Sequence, residues 1–324
     1  MKLTDTQSRH IQILRGISIL AVVLIHNTPA GMSQVFVRPF LNFCVGTFLF
    51  LSGFLSSTES WNPKKRIIKV FVPYVIWSLV YVCANNLDAP SGIPVEYVKA
   101  LILGNASAIM YYIFVYAEFT LLIPVIHKLA NSKYKYIGFV IAPVEIIFMR
   151  TLPMLGCYEP NFYLQRIIDL SCLGWFTYFY LGYLIANRKL TVKIPTVGLL
   201  GLLSVTLLLQ MAEGYLYYAL GQENCGTQVK LTNLLSTTFF VLLAYKFILS
   251  KKPRSGKLLY VLGNYSFGIY FSHLAVMFVF RQIPYYAEYV IYPINAVLVT
   301  AVSLALCCLG KKILGRYSWL MALC

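Results

Sequence analysis

Apolar residues run in long blocks along this chain, separated by short polar or turn-rich segments. Ten blocks approach or reach the roughly 20 residues that a helix needs to cross a bilayer. We predict transmembrane helices at residues 11–28, 36–57, 67–84, 108–128, 135–150, 168–187, 196–213, 231–249, 258–281 and 289–312. The first block lacks a small-residue cleavage site, so we interpret it as a helix and not as a signal peptide. The predicted fold class is an all-α integral membrane protein, with one membrane domain over residues 1–324.

The charges follow the loops of this topology. With 27 Lys and Arg against 11 Asp and Glu, the net charge of +16 would also suit a nucleic-acid partner. However, 20 of these cations lie on the side of the N-terminus and six on the opposite side, with Arg15 left in the membrane. The positive-inside rule then places both termini in the cytoplasm. We expect the protein to lie in a plasma or inner membrane. The basic excess reflects topology, and we expect no nucleic-acid partner.

Two ionisable side chains share one face of the first predicted helix. Arg15 and His26 are eleven residues apart, which is about 20° past three full helical turns and about 16 Å along the axis. Charged groups inside a membrane usually point into a bundle or a wet cavity, so the pair predicts a polar track through the protein. The alternative is that Arg15 reaches the inner headgroups and His26 the outer ones.

A basic cluster precedes the third predicted helix. Arg66 and Lys69 are three residues apart and therefore neighbours on a helix surface. Two cations on one face just inside the membrane would suit a phosphorylated cofactor that approaches from the cytoplasm. The alternative, which we prefer for Lys64 and Lys65, is a simple positive-inside anchor.

Glu118 lies near the middle of a predicted span, with no basic residue beside it in sequence. An unpaired carboxyl there would be protonated, so it needs either a partner or a chemical role. The alternative is a structural carboxyl that bridges helices. Further along, small, polar and aromatic residues alternate from Leu262 to His273, as in a tight helix contact.

The eight cysteines have no metal-ligand spacing, and we expect no metal. Cys157 and Cys225 both fall in predicted outer loops and would pair in an oxidising compartment. No phosphate-binding loop, dinucleotide-binding turn, nucleophile elbow or His-Glu-x-x-His site is present in the sequence.

Taken in order, these motifs resemble acyltransferase family 3, polytopic membrane O-acyltransferases that modify surface glycans. The motifs that carry the resemblance are Arg15-x10-His26, Phe48-Leu-Phe-Leu-Ser52-Gly53-Phe54, Lys65-Arg66-x-x-Lys69 with Pro73-Tyr74, the segment Tyr111–Pro124, Leu181-Gly182-Tyr183-Leu184 and Ser266-Phe-Gly-Ile-Tyr270-x-x-His273. The resemblance covers nearly the whole chain, and the order of the motifs makes it more specific than any one of them.

The resemblance implies transfer of an acetyl group from cytoplasmic acetyl-CoA, the donor substrate, to a hydroxyl of a surface or lipid-linked glycan. His26 matches the essential histidine of the family and Arg15 its paired arginine. Arg66 and Lys69 match an Arg-x-x-Arg motif linked to donor handling, although Lys69 departs from the second arginine. Glu118 matches a position that is often an amide or a carboxylate in such proteins, and we include it among the candidate catalytic residues.

The residues support this chemistry by themselves as well. A neutral histidine near pH 7 can take the proton of a sugar hydroxyl as it attacks a thioester. A buried arginine can stabilise the oxyanion or hold the donor's phosphates. The competing interpretation is a glycan or lipid transporter or flippase that uses the same polar track without acyl-transfer chemistry.

Overall fold

The computed structural model describes residues 3–59, 61–251, 256–286 and 291–314, and of residue 314 it describes the backbone only. Within these ranges the regular secondary structure is helical, with no β-strand. In chain order the α-helices are α1 (Asp5–Asn27), α2 (Met32–Val37), α3 (Phe43–Phe54), α4 (Pro63–Asn85), α5 (Ile93–Leu103), α6 (Tyr111–Asn131), α7 (Gly138–Ile146), α8 (Leu152–Met154), α9 (Phe162–Leu170), α10 (Phe176–Ala186), α11 (Thr196–Ala219), α12 (Leu231–Ile248), α13 (Lys257–Asn264), α14 (Ser266–Arg281) and α15 (Ile294–Leu314).

Nine segments of the described chain are long and apolar enough to cross a membrane, and a tenth, Ser266–Arg281, is apolar but shorter. They correspond one for one to the ten predicted blocks, and the all-α membrane fold class is confirmed. The cytoplasmic location of both termini stays a prediction, and the C-terminal residues lie outside the described ranges.

Three predicted spans are interrupted. The block at 36–57 is divided into α2, a 3₁₀ turn at Arg38–Phe40 and α3. The block at 168–187 is broken after α9, and the chain resumes with a 3₁₀ turn at Leu173–Trp175. The block at 258–281 is divided between α13 and α14. Hydropathy alone does not reveal such breaks, because it is averaged over a window longer than each break. Backbone groups freed at a break in a membrane need a partner from elsewhere in the protein.

The chain divides into two compact units, each discontinuous in sequence. Unit 1 comprises Met1–Trp61, Ile123–Pro160 and Leu173–Ser266. Unit 2 comprises Asn62–Leu122, Asn161–Cys172 and Phe267–Cys324. The expectation of a single membrane domain stays a prediction.

Side-chain caps fix the start of the helices that carry the candidate site. Thr4 and Gln7 form a reciprocal capping box on α1, each accepting a hydrogen bond from the other's backbone N–H. Asn62 caps α4 by accepting a hydrogen bond from the N–H of Lys65, with Pro63 at the first helical position. Arg15 on α1 and the pair Arg66 and Lys69 on α4 therefore lie on helices with defined starting points.

Two motifs that the sequence analysis quoted separately pack on each other in unit 1. A Cβ atom on Gly53 of α3 would lie 2.0 Å from the carbonyl oxygen of Phe179. One on Gly182 of α10 would lie 2.2 Å from that of Phe50. The two helix backbones are thus in direct contact, and only glycine fits at either position.

The predicted disulfide between Cys157 and Cys225 is wrong, since both are free thiols. Cys225 is fully buried, and its Sγ lies 3.7 Å from the carbonyl oxygen of Gly31. Cys157 is exposed. The burial of Cys225 follows from packing of its loop onto α2, which loop polarity does not reveal.

Candidate active site

Arg15 and His26 lie on one uninterrupted helix, α1, and on one face of it. Their separation of eleven residues corresponds to about 16 Å along the axis. Between them on this face lie Ile19, four residues after Arg15, and Val22, four residues before His26, and both are buried. The shared face is therefore covered by protein, which disfavours the alternative of two side chains that reach through lipid to opposite headgroups.

A backbone contact holds the turn of α1 that carries Arg15. A Cβ atom on Gly16 would lie 1.9 Å from the carbonyl oxygen of Leu259 in α13. One on Gly263 would lie 1.9 Å from that of Gln12 in α1. The tight helix contact predicted between Leu262 and His273 is confirmed at Gly263, and its partner is the helix turn beside Arg15.

Side-chain hydrogen bonds also stabilise the last turn of α1, which carries His26. Asn27 donates from Nδ2 to the carbonyl oxygen of Val23 at 2.8 Å, and Thr28 donates from Oγ1 to that of Leu24 at 2.9 Å. These bonds engage carbonyl groups in the last turn of the helix. His26 is partly exposed at this end of the helix.

Glu118 has a partner across a broken helix of unit 2. Its Oε2 accepts a hydrogen bond of 2.6 Å from the backbone N–H of Cys172. Cys172 lies in the gap between α9 and the turn at Leu173–Trp175, where its N–H has no place in a continuous helix. The carboxylate thus satisfies a backbone donor that would otherwise be costly in an apolar surrounding. This finding supports the structural interpretation of Glu118 without excluding a further role.

Arg66 and Lys69 lie in the first two turns of α4, together with the exposed Lys64 and Lys65. Arg66 is partly buried, whereas Lys69 is exposed. The first turn has no acidic residue, although the N-terminus of a helix dipole disfavours cations and favours anions. Concentrating cations there creates a strongly anion-attracting surface.

The five predicted site residues are divided between the units. Arg15 and His26 belong to unit 1, whereas Arg66, Lys69 and Glu118 belong to unit 2. The structure brings together the first two on one helix face, and Arg66 with Lys69 on another helix. That the Arg15–His26 pair acts together with Arg66, Lys69 and Glu118 is a proposal.

Two other histidines have defined surroundings. His273 is fully buried, and its Nδ1 lies 3.0 Å from the carbonyl oxygen of Ile269, which makes Nδ1 the donor. His127, which the sequence analysis did not single out, lies with Nδ1 2.9 Å from the hydroxyl of Tyr183 and Nε2 3.1 Å from Nδ2 of Asn131. The partnership links α6 to the Leu181-Gly182-Tyr183 motif inside unit 1.

A polar cluster on α2 and the turn that follows it was not predicted from the sequence. Gln34, Arg38 and Asn42 are spaced four residues apart, and all three lie against the loop between α11 and α12. The four-residue spacing was the available signal, since it places the three on one helix face. Their common neighbour lies almost 190 residues away in sequence and was not predictable.

No group of three or more His, Cys, Asp or Glu side chains within the described ranges is arranged to hold a metal ion. The chemistry available to these residues is acid–base catalysis and anion binding. A family model described as an acyltransferase domain, acyltransferase family 3, matches residues 9–311. The chain belongs to this family.

Comparison with curated proteins and with solved structures gave no match. Family membership and the apolar helices together identify a multi-pass membrane acyltransferase. The family match includes both units and all five predicted site residues.

Proposed function

We propose that this acyltransferase moves an acetyl or other short acyl group from cytoplasmic acyl-CoA to a hydroxyl of a cell-surface or lipid-linked glycan. The observation that carries the proposal is the buried face of α1 that Arg15 and His26 share, in a chain of an acyltransferase family.

His26 acts as the general base. It takes the proton of the acceptor hydroxyl while the hydroxyl oxygen attacks the thioester carbon. The new C–O bond forms, the C–S bond breaks, and the proton passes from His26 to the departing thiolate of CoA. This sequence consumes one acyl-CoA and one hydroxyl and releases one ester and one free thiol. It needs no covalent intermediate on the enzyme.

Arg15 has a different task, because about 16 Å along the helix separates it from His26. The two side chains are too far apart to contact the same reacting atoms at the same time. The long pantetheine arm of CoA, in contrast, extends far enough for its thioester to lie near His26 while its phosphates remain near Arg15. Of the two roles open to Arg15, donor binding through the guanidinium fork is therefore favoured over oxyanion stabilisation.

Arg66 and Lys69 assist at the cytoplasmic entrance for the donor. Their position at the positive end of α4, with no acidic residue in the first turn, supports binding of the CoA phosphates. Lys69 supplies a point charge and not a bidentate fork, so Arg66 carries the geometric specificity. Glu118 positions the broken helix at Cys172, and we propose that its carboxyl group also takes part in catalysis.

The 20-to-6 distribution of cations supports entry of the donor from the cytoplasm and exit of the acylated glycan on the other side. Arg15 then lies nearer the inner surface and His26 nearer the outer one. This order along one helix suits a reaction whose donor and acceptor arrive from opposite sides of a plasma or inner membrane.

Acetyl-CoA labelled in the acetyl group provides the test, with membranes that contain the full chain or its His26→Ala variant at equal abundance. We expect label in the glycan fraction that mild alkali releases, as an oxygen ester requires, together with one free CoA thiol per label. Glycan label no higher than in His26→Ala membranes would reject the proposal. A flippase or transporter would relocate the glycan without releasing CoA.

A further inference from the structure

The loop between α11 and α12 covers a polar stripe on α2 and its following turn, entirely within unit 1. Gln34 donates from Nε2 to the carbonyl oxygen of Glu223 at 3.4 Å. Asn42 donates from Nδ2 to the carbonyl oxygen of Gly226 at 3.3 Å. Between them, the Arg38 side chain lies so close to Gly226 that a Cβ atom there would be 2.5 Å from its Cδ. We call Gln34, Arg38 and Asn42, together with Lys230 at the end of this loop, the Arg38 cluster.

Three polar atoms of the Arg38 cluster are buried and unpaired. Within the described residues, Nε of Arg38, Oε1 of Gln34 and Oδ1 of Asn42 have no hydrogen-bond partner. A buried polar group without a partner is costly, and three such atoms on one stripe is an unusual concentration. The set offers one donor on a cation and two amide acceptors, which matches a ligand that carries both an anionic group and hydroxyls.

The charge of the cluster is positive. Lys230 is 1% exposed, and its Nζ donates to the carbonyl oxygens of Gln210 at 3.3 Å and Cys225 at 3.1 Å. The nearby carboxylate of Glu213 is held by the backbone N–H of Thr232 at 3.1 Å and by the hydroxyl of Tyr217 at 2.9 Å. Neither Arg38 nor Lys230 forms an ion pair within the part of the chain that the structure describes. Lys230 thus lies near the second cation, Arg38, and near one carboxylate, Glu213, which has other hydrogen-bond partners.

A purely structural cluster would be expected to pair its charges or to expose them, since a buried charge without a counterion is costly. Arg38 remains partly exposed, whereas Lys230 behind it is sealed. The exposed part of Arg38 can contact a ligand, and the ammonium group of Lys230 contributes a positive charge held in place behind it.

The cluster lies near the end of α1 that carries His26. Gly31 lies five positions after His26 in sequence, which limits the distance between their Cα atoms to at most about 18 Å. Gly31 in turn contacts the covering loop through the thiol of Cys225. A molecule held by the cluster is therefore within reach of the end of the helix where the proposed base lies.

We propose that the Arg38 cluster is a binding subsite for an anionic, hydroxylated acceptor, in which Arg38 contacts a carboxylate or phosphate group. The inference rests on the proposed function for its link to the acceptor, whereas anion binding itself is measurable without any acyl-CoA. The acceptor would thus be an acidic sugar or a sugar-phosphate polymer and not a neutral glycan.

The test is thermal unfolding of the full chain in a neutral detergent, titrated with three probes in the absence of acyl-CoA. Glucuronate represents a carboxylate sugar, glycerol phosphate represents a phosphate-linked polymer, and glucose is the neutral control, all at constant ionic strength. We expect at least one anionic probe to raise the unfolding temperature and glucose to leave it unchanged. The two anionic arms distinguish a carboxylate from a phosphate acceptor. The proposal would be overturned if glucose shifted the unfolding temperature as much as the anionic probes, or if neither anionic probe shifted it.

The matched variants are Arg38→Gln and Arg281→Gln, of which the second removes an exposed arginine in unit 2. Loss of a charge-assisted bond predicts a Kd at least about tenfold higher in Arg38→Gln and an unchanged Kd in Arg281→Gln. Should Arg38→Gln fail to accumulate, Arg38→Lys decides, because loss of the bidentate fork predicts a severalfold weaker Kd. An unchanged Kd in the Arg38 variant that accumulates would contradict the proposal. Failed acyl transfer with intact anion binding would instead reject only the proposed function.

Discussion

The carboxylate of Glu118 accepts a hydrogen bond of 2.6 Å from the backbone N–H of Cys172, 54 residues further along the chain. This bond joins the interior of one membrane helix to the gap between two others. It converts an apparently unpaired carboxyl into a cap for a broken helix, and it explains how the break is tolerated in an apolar surrounding.

The effect of Glu118 on stability should therefore depend on its hydrogen-bonding capacity. Glu118→Ala leaves the Cys172 N–H without its acceptor and should cost about 1–3 kcal/mol of unfolding free energy. Glu118→Gln retains an amide oxygen and should lose less. Unfolding in detergent measures both. If Glu118→Gln is stable yet loses most acyl transfer, the carboxylate has a chemical role beyond its cap, whereas full activity would restrict it to the cap.

His26→Ala should abolish most acyl transfer without reducing the amount of protein in the membrane. A positioned acid–base group contributes about 10²–10⁴-fold to rate, so the variant should fall by at least a hundredfold. The rate of label transfer from acetyl-CoA at matched protein abundance measures this. A rate within about tenfold of wild type would be incompatible with His26 as the base.

Arg15→Lys should weaken donor binding, because it retains the charge and loses the planar fork that binds phosphate in a bidentate manner. We expect the KM for acetyl-CoA to rise about tenfold with a smaller change in kcat. Arg9→Lys is the matched control on the same helix, where the guanidinium lies 5.2 Å from the centre of the Tyr260 ring. A fully active Arg15→Lys variant would reduce Arg15 to a general positive charge.

The sequence predicted the ten apolar segments and the common face of Arg15 and His26, since both depend on local periodicity. It did not predict the break at Cys172 or the packing of Gln34, Arg38 and Asn42 against residues 223–227. Each of these is decided by a partner between 54 and 189 residues away. The local pattern of polar and apolar residues carries no information about such a distant partner. Polar sites that depend on long-range contacts are therefore visible only in the structure.

Arg66→Ala should raise the KM for acetyl-CoA more than the KM for the acceptor. The reason is that Arg66 is partly buried at the anion-attracting start of α4. Lys64→Ala provides the comparison, because Lys64 is exposed two residues earlier and is interpreted as a topological anchor. Kinetics with each substrate varied in turn distinguish the two. Equal behaviour of the two variants would return Arg66 to the role of an anchor.

Lys230 provides a prediction about pH. Burial lowers the pKa of this lysine from 10.5 to about 8, while Glu213 and Cys225 oppose the shift and Arg38 adds to it. Between pH 8 and 10.5 the Lys230 ammonium group keeps its proton in the unfolded chain and has lost it in the folded chain. Stability therefore rises with pH through this window, and below it both states carry the proton and the burial cost is fully present.

Lys230→Met removes this titration, so the difference in unfolding temperature between wild type and variant isolates it from the other groups that titrate at high pH. We expect the wild type to gain stability relative to Lys230→Met as pH rises from 8 to 10. Binding of an anionic probe at the Arg38 cluster should weaken over the same range, because the site loses one of its two positive charges. A constant difference in unfolding temperature across the window would show that Lys230 does not titrate there and would contradict the lowered pKa.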